Sequence, residues 1–330
     1  MILVTGGAGF IGSHMAKLLR QRGIEHVVLD NLSGGHKGAC GSSTLVEADI
    51  ESPEQMRTLF GRFPFAAIIH FAARINVGES MAAPFLYYRT NLLGSTNLIE
   101  AAVHAGVRSF VFSSTAAVYG TPKGIPIRET DRRRPINVYG ETKLSVERLL
   151  RSVSRAHGLR VACLRYFNAA GADPDGELGE DHRPETHLIP LAIDAALGRG
   201  EPLTVFGDDY DTPDGTCIRD YVHVSDLCDA HLLALEALDA AEQGCFRAYN
   251  VGTGIGHSVR EVLDTVGDVI GEHVPHEVGA RRPGDPPVLV ASNDRIRTEL
   301  GWCPRIADLR SMVSHAAIWR RDHPEGYGET

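Results

Sequence analysis

Two short stretches of this chain hold residue types whose spacing could do chemistry. In Tyr139-Gly140-Glu141-Thr142-Lys143, a tyrosine and a lysine stand four apart, so on a helix they share one face, one turn from each other. In Gly6-Gly7-Ala8-Gly9-Phe10-Ile11-Gly12, glycines recur at 6, 9 and 12. A free tyrosine titrates near ~10 and is a poor base at neutral pH. A nearby ammonium group and an oxidised nicotinamide, both positive, would favour the phenolate. A shift of about three units corresponds to ~4 kcal/mol, within reach of two cations in a partly dry site. A Tyr-x-x-x-Lys pair alone is usually an exposed pair on a helix. Combined with the glycine run, it implies an acid/base that moves a proton while a dinucleotide moves a hydride.

The glycines sit where a strand turns into a helix. There the backbone must turn tightly, approach a pyrophosphate closely and let helix pack on strand. The helix N-terminus then offers free N–H groups and its dipole to phosphates. Asp30 ends the second apolar run; a carboxylate there accepts from both ribose hydroxyls and repels a 2′-phosphate, which favours NAD over NADP. Upstream of Tyr139, Phe112-Ser113-Ser114-Thr115-Ala116-Ala117-Val118-Tyr119-Gly120 supplies hydroxyls where a substrate oxygen would sit near the nicotinamide. The bland alternative is a turn whose hydroxyls bond their own backbone.

These groups need a scaffold, and the first half of the chain encodes one. Ile2–Thr5, Val27–Leu29, Leu45–Val46, Ala67–Phe71, Ser109–Ser113 and Arg160–Arg165 read as strands. Ile11, Met15, Leu18 and Leu19 fall on one helical face, as do Leu92, Leu98, Ile99 and Val103. Alternation of this kind marks βαβ units: an α/β, Rossmann-type doubly wound parallel sheet. After about Ala169 the texture changes. Gly171–Glu185 and Gly207–Gly215 read as long loops, and Arg219–Asp226 and Ala248–Val251 as strands that rejoin the sheet. The boundary between the two halves is therefore expected to be interlaced.

Composition narrows the class. The chain has 330 residues and a net charge of −9, which argues against a nucleic-acid surface. Arg132-Arg133-Arg134 beside Asp131 reads as a solvated loop. No apolar run is long enough to span a bilayer, and Met1 leads straight into an apolar strand with no signal peptide. Six cysteines without a C-x-x-C pair suggest neither a disulfide framework nor a zinc knuckle, consistent with a reduced, cytoplasmic enzyme. His223, Cys228 and His231 are read as ordinary strand and helix residues, and no metal is expected.

Taken together, these motifs resemble the extended short-chain dehydrogenase/reductase family and, within it, the UDP-glucose 4-epimerases (UDP-galactose 4-epimerases). The resemblance runs over nearly the whole chain. It includes Thr5–His14, Asp30-Asn31-Leu32, Ala48-Asp49-Ile50, His70-Phe71-Ala72-Ala73, Val77-Gly78-Glu79-Ser80 and Tyr139–Lys143. Its most diagnostic pieces are Leu164–Ala172 and Asp214–Val224, completed by Arg281-Arg282-Pro283-Gly284-Asp285 and Glu299-Leu300-Gly301-Trp302. It implies an NAD-binding domain over 1–169 and a UDP-sugar domain over 170–330.

By resemblance, Gly6, Gly9, Phe10, Ile11, Gly12, Asp30, Asn31, Asp49, Ile50, Phe71, Ala72, Ala73, Asn91, Ser113, Tyr166 and Lys143 contact NAD. Tyr139 is the acid/base, acting with Lys143 and with Thr115, which stands where many members have a serine that bonds the sugar O4′. Asn168, His187, Leu188, Phe206, Arg219, Arg282 and Asp285 hold the UDP end; two arginines suit a diphosphate. His187 departs from the asparagine of some members, and Ile75 from a lysine. Leu289 occupies a position that sets room for a 2-acetamido group, where an aromatic excludes it and a small residue admits it.

The implied reaction is reversible inversion at C4 of a UDP-hexose through a transient 4-keto sugar. UDP-glucose and UDP-galactose come first, ahead of N-acetylhexosamine, pentose or uronate substrates. Related 4,6-dehydratases place an Asp-Glu pair where Ala116-Ala117 stand, and two alanines cannot do that proton work. A catalytically silent NAD-sensing regulator would have no use for Tyr139, Lys143 and Thr115. A homodimer through the helices beginning near Asn91 and Tyr139 is implied by resemblance alone.

Overall fold

Short Val/Ile-rich runs buried on both faces can only be central strands of a sheet covered on each side. The computed structural model, which describes residues 1–282 and 285–328, shows this for all but the half-exposed edge strand Thr44–Glu47. β1 (Ile2–Thr5), β2 (His26–Asp30), β3 (Thr44–Glu47), β4 (Ala67–His70), β5 (Ser109–Thr115) and β6 (Arg160–Tyr166) are all parallel. Side chains alternate across them. Val4, Ile69, Val111 and Leu164 pack under helices Phe10–Gln21 and Val224–Asp239. Leu3, Ile68, Phe110 and Cys163 pack against helices Pro53–Arg62, Ser95–His104 and Val138–His157 on the other face. The Met15–Leu19 and Leu98–Ile99 faces read from spacing are the ones that point inward.

The chain then leaves this sheet. β7 (Asn168–Ala170) follows β6 after one residue and pairs with β9 (Ile218–His223), while β8 (Leu203–Phe206) lies apart. β10 (Phe246–Val251) comes back beside β6, giving a seven-stranded order β10-β6-β5-β4-β1-β2-β3. The expectation that Arg219–Asp226 rejoins the parallel sheet is corrected here. β10 occupies the whole edge of β6 from Phe246↔Val161 to Val251↔Tyr166, so β9 pairs elsewhere. Val224–Asp226 is already helix.

β9 sits in a small sheet with β7, β11 (Gly256–Ser258) and β13 (Val288–Leu289), and β12 (His276–Gly279) pairs with β8. Helices Leu188–Ala196, Val259–Ile270 and Leu309–Asp322 enclose this half's own core around Ile193, Val266 and Val313. Residues 171–187 and 207–215 are loops. Among the described residues, no helix is long and apolar enough to cross a membrane.

Candidate active site

The site lies past the C-terminal ends of β1, β4 and β5, where an open α/β sheet places its ligand. Between β1 and helix Phe10–Gln21 the chain turns at Gly6, with φ of +67°. A Cβ on Gly6 would meet the Ala72 backbone nitrogen at 2.5 Å, and one on Gly12 would meet the Gly6 carbonyl oxygen at 2.1 Å. Larger residues are thus excluded from both positions. Gly9 begins the helix with no side-chain cap, so the first-turn N–H groups of Phe10, Ile11 and Gly12 are left for a ligand.

Asp30 is buried at the end of β2. Its carboxylate accepts from Ala8 N (3.0 Å) and Leu32 N (2.8 Å), which fixes its plane and leaves lone pairs over. Burial holds its pKa above the usual value. Asn31 donates to Asp49 at 2.9 Å, and Ile50 closes on Gly94, where a Cβ would lie 2.8 Å from Ile50 Cγ1. The Phe71 ring packs on His231 at 4.7 Å, ahead of half-buried Ala72 and Ala73. A backbone cradle with no room for Cβ, an uncapped helix start and an oriented acid fit a dinucleotide.

Tyr139 and Lys143 do share one face of helix Val138–His157, whose start is capped by Asn137 accepting from Gly140 N at 2.8 Å. Lys143 is buried, donates from Nζ to the Ser113 carbonyl at 2.8 Å, and lies 5.9 Å from the Tyr139 ring centre. Thr115 ends β5. Its hydroxyl accepts from Ala117 N at 3.1 Å, the turn bond of the bland alternative, and it stands beside the half-buried Tyr139 phenol, whose ionised form it favours. Ser113 Oγ and the Tyr166 phenol form a short hydrogen bond alongside.

Burial dominates the electrostatics of both groups. Burial pushes the Tyr139 phenol up to about 12, against the pull of the Thr115 hydroxyl. Burial also brings Lys143 down to about 7. Desolvation disfavours each charge alone, yet a phenolate and an ammonium side by side stabilise one another, so the two protonation states are linked. His70, behind them, is held down to about 3 by burial and then by Lys143. It stays neutral, joining Thr5 (2.6 Å) to Ser95 (2.9 Å).

Sequence reading named Asn91 as an NAD contact but missed its structural bonds, and it missed Glu147 altogether. Asn91, on a π-helical turn Tyr88–Gly94, accepts from Arg74 N (2.8 Å) and donates to Thr142 Oγ1 (3.2 Å), tying that turn to the Tyr139 helix. Glu147 accepts from Ser114 (2.6 Å) and pairs with Arg165 Nη2 at 2.7 Å, all three side chains buried. The 139-143-147 spacing carried that signal: Glu147 is one further turn along the same face.

The residues assigned to the UDP end gather only in part. Arg219 pairs with Asp285, and Leu289 is its register partner across β9 and β13. Arg282 stacks over the Phe206 ring at 3.9 Å, and Asn168 donates to the Asp220 carbonyl at 2.9 Å. Pro283 and Gly284 of the Arg281–Asp285 motif lie outside the described residues. His187 precedes Leu188 at the start of helix Leu188–Ala196, but its ring meets Glu180 at 2.5 Å. His223, Cys228 and His231 do not form a cluster: His223 bonds His315 (3.0 Å) and His231 the Leu227 carbonyl (2.8 Å).

Comparison with known proteins adds to this geometry. The NAD dependent epimerase/dehydratase family matches residues 2–252. A UDP-glucose 4-epimerase of Halalkalibacterium halodurans is 48% identical over 99% of this chain and 97% of its own length. One of Azospirillum brasilense is 50% identical over 99% and 94%. The crystal structure of UDP-glucose 4-epimerase from Brucella ovis in complex with NAD superposes with a TM-score of 0.92 at 49% identity, covering 96% of this chain and 97% of that one. The enzyme from Bifidobacterium longum in complex with NAD+ and UDP superposes at 0.93 with 35% identity, covering 98% and 99%.

Proposed function

The chain belongs to the NAD dependent epimerase/dehydratase family, and from that premise we propose that it is an NAD-dependent epimerase that reversibly inverts C4 of a UDP-hexose, UDP-glucose and UDP-galactose first. The observation that carries this reading is Tyr139 and Lys143 on one helix face beside Thr115 at the end of β5, followed by Ala116-Ala117 where a dehydratase would have acids. A hexose C4 hydrogen has no neighbouring carbonyl and is not acidic, so inversion requires transient oxidation. NAD supplies the hydride acceptor and donor for that step.

The chain's own residues do the rest. Tyr139 takes the O4′ proton as the C4 hydride leaves, Thr115 orients O4′, and Lys143 stabilises the phenolate. When the 4-keto sugar has turned and the hydride returns to its other face, Tyr139 gives the proton back. The glycines at 6, 9 and 12 with Phe10 and Ile11 cradle the pyrophosphate. Asp30 and Asn31 hold the ribose, Asp49, Ile50, Phe71, Ala72 and Ala73 the rest of the dinucleotide, and Asn91, Ser113 and Tyr166 the nicotinamide side. Asn168, Leu188, Phe206, Arg219, Arg282 and Asp285 hold UDP, so the sugar alone turns; the His187 ring, expected there by resemblance, is turned to Glu180 instead. Incubation with UDP-galactose and no added NAD, followed by NMR, is expected to show UDP-glucose; no conversion even with added NAD would overturn the reading.

Leu289 is half-buried against the apolar cluster that includes Ala116, the residue after Thr115. Trimming it to Ala is expected to raise kcat/KM on UDP-N-acetylglucosamine relative to UDP-glucose about tenfold, the scale of one or two methylenes in an apolar pocket. Comparable kcat/KM of the unmodified enzyme on both substrates would remove Leu289 as the discriminator.

The division at 169/170 into an NAD unit and a UDP-sugar unit belongs to the same reading. So does a homodimer through the helices beginning near Asn91 and Tyr139, supported by apolar side chains at the surface there: Met81, Phe85, Tyr88 and Leu93. Sedimentation equilibrium should give twice the 35.8 kDa chain mass; a monomer at micromolar concentration would refute it. All six cysteines are free thiols, which supports a reducing compartment, the cytoplasm. A cell-fractionation blot finding the protein outside the cytosol would reject that placement.

A further inference from the structure

The loop that leads into helix Leu188–Ala196 turns four ligand-type side chains toward one point. Glu180 Oε1 lies 2.5 Å from His187 Nδ1 and 3.2 Å from His182 Nδ1. Glu185 Oε1 lies 3.7 Å from the same nitrogen of each ring. All four ligand atoms fall within 4.8 Å of one another. Around a tetrahedral ion with bonds of about 2.0–2.2 Å, ligand atoms stand roughly 3.3–3.6 Å apart, so the observed spacings bracket that geometry.

Two further observations point to a cation at that centre. The side chains of Glu180 and Glu185 are only 6% and 9% exposed, so two carboxylates have been withdrawn from water within one eight-residue segment. Glu185 Oε2 is buried with no hydrogen-bond partner, and His182 Nδ1 likewise. Arg320, 4.0 Å from that oxygen, is committed to Asp194 and to the Glu180 carbonyl. A buried carboxylate lone pair without a donor is costly. The donor set is itself braced, since Glu185 Oε1 accepts from Thr186 N (2.7 Å) and His187 N (2.9 Å). Two imidazoles and two carboxylates in four-fold array suit zinc, whereas magnesium and calcium ask for six or more oxygens.

We propose that Glu180, His182, Glu185 and His187 bind one Zn2+ per chain, as a structural site that locks residues 180–187 and presents Leu188 to the cleft. The site sits in the second half of the chain, and its existence does not depend on the reaction proposed above. It runs against the expectation from sequence that no metal is bound.

The test uses tag-free full-length protein, freed of metal with a chelator and then titrated. Zinc chloride calorimetry is expected to show one saturable site, and cobalt(II) in its place an intense tetrahedral visible band without a thiolate charge-transfer band. His182→Gln and Glu185→Gln should each weaken zinc at least about tenfold. His276→Gln, at the surface pair His273–His276, should not. Absence of a saturable site, an octahedral or thiolate-bearing cobalt spectrum, or undiminished zinc affinity in the folded His182→Gln variant would overturn the proposal. If that variant does not fold, the cobalt spectrum of the unmodified protein decides the matter.

Discussion

Tyr139→Phe is expected to lower kcat for UDP-galactose by about 10³-fold, within the range for loss of a positioned acid/base. The substitution removes one hydroxyl and keeps the ring. The packing of helix Val138–His157, its Asn137 cap and the glycine loop are left as they are. KM should change little, because the lost interaction acts on a proton in flight, and such a loss appears in kcat and kcat/KM together. Circular dichroism and retained NAD absorbance establish that the variant is folded and loaded. A folded Tyr139→Phe enzyme with near-normal turnover would remove Tyr139 from the chemistry.

Lys143→Met carries the second large effect, and its signature is in the pH dependence. Among the described residues Lys143 pairs with no acid; it donates to the Ser113 carbonyl and lies 5.0 Å from the Phe112 ring centre, so a phenolate next to it is the charge that would offset its burial. Removing it takes away the cation that favours ionised Tyr139. The rising limb of log kcat against pH should therefore move to higher pH, with a loss of about 10²-fold at neutral pH that narrows as pH rises. A uniform loss at every pH would mean that the lysine only packs. His70, held near 3, does not titrate in this range.

Stability should move the opposite way. The folded pKa of Lys143, about 7, is below the ordinary lysine value of 10.5. Between those values the unfolded chain binds the extra proton, so the lysine's penalty on folding is full below about pH 7 and fades as pH rises toward 10.5. Lys143→Met should thus raise Tm at pH 6–7 and lose that advantage toward pH 10. A site that trades stability for function in this way is common.

What could be read from the chain and what could not separate along physical lines. β1, β4, β5 and β6 are buried on both faces, so their apolar runs were unambiguous, as was a glycine run in which Gly6 and Gly12 leave no space for Cβ. Tyr139 and Lys143 were legible because helical spacing is local. β9 was misplaced because its Tyr221-Val222 end looks like any sheet strand, and only the long-range competition of β10 for the edge of β6 decides its partner. His187 was read as a nucleotide contact by position, and its diversion toward Glu180 depends on a loop with no periodicity. Burial raises the Tyr139 phenol and lowers the Lys143 ammonium alike, a contribution that no motif reveals.

The central claim is that C4 is inverted by removing and returning its own hydrogen as hydride. The most direct measurement is conversion of UDP-galactose to UDP-glucose in D2O, with NMR of C4 in product and recovered substrate. The account predicts conversion with protium retained at C4, since the hydride never meets solvent. Deuterium appearing at C4 would show that a proton was lost to water and would contradict the mechanism assigned to Tyr139 and the glycine-loop cofactor site.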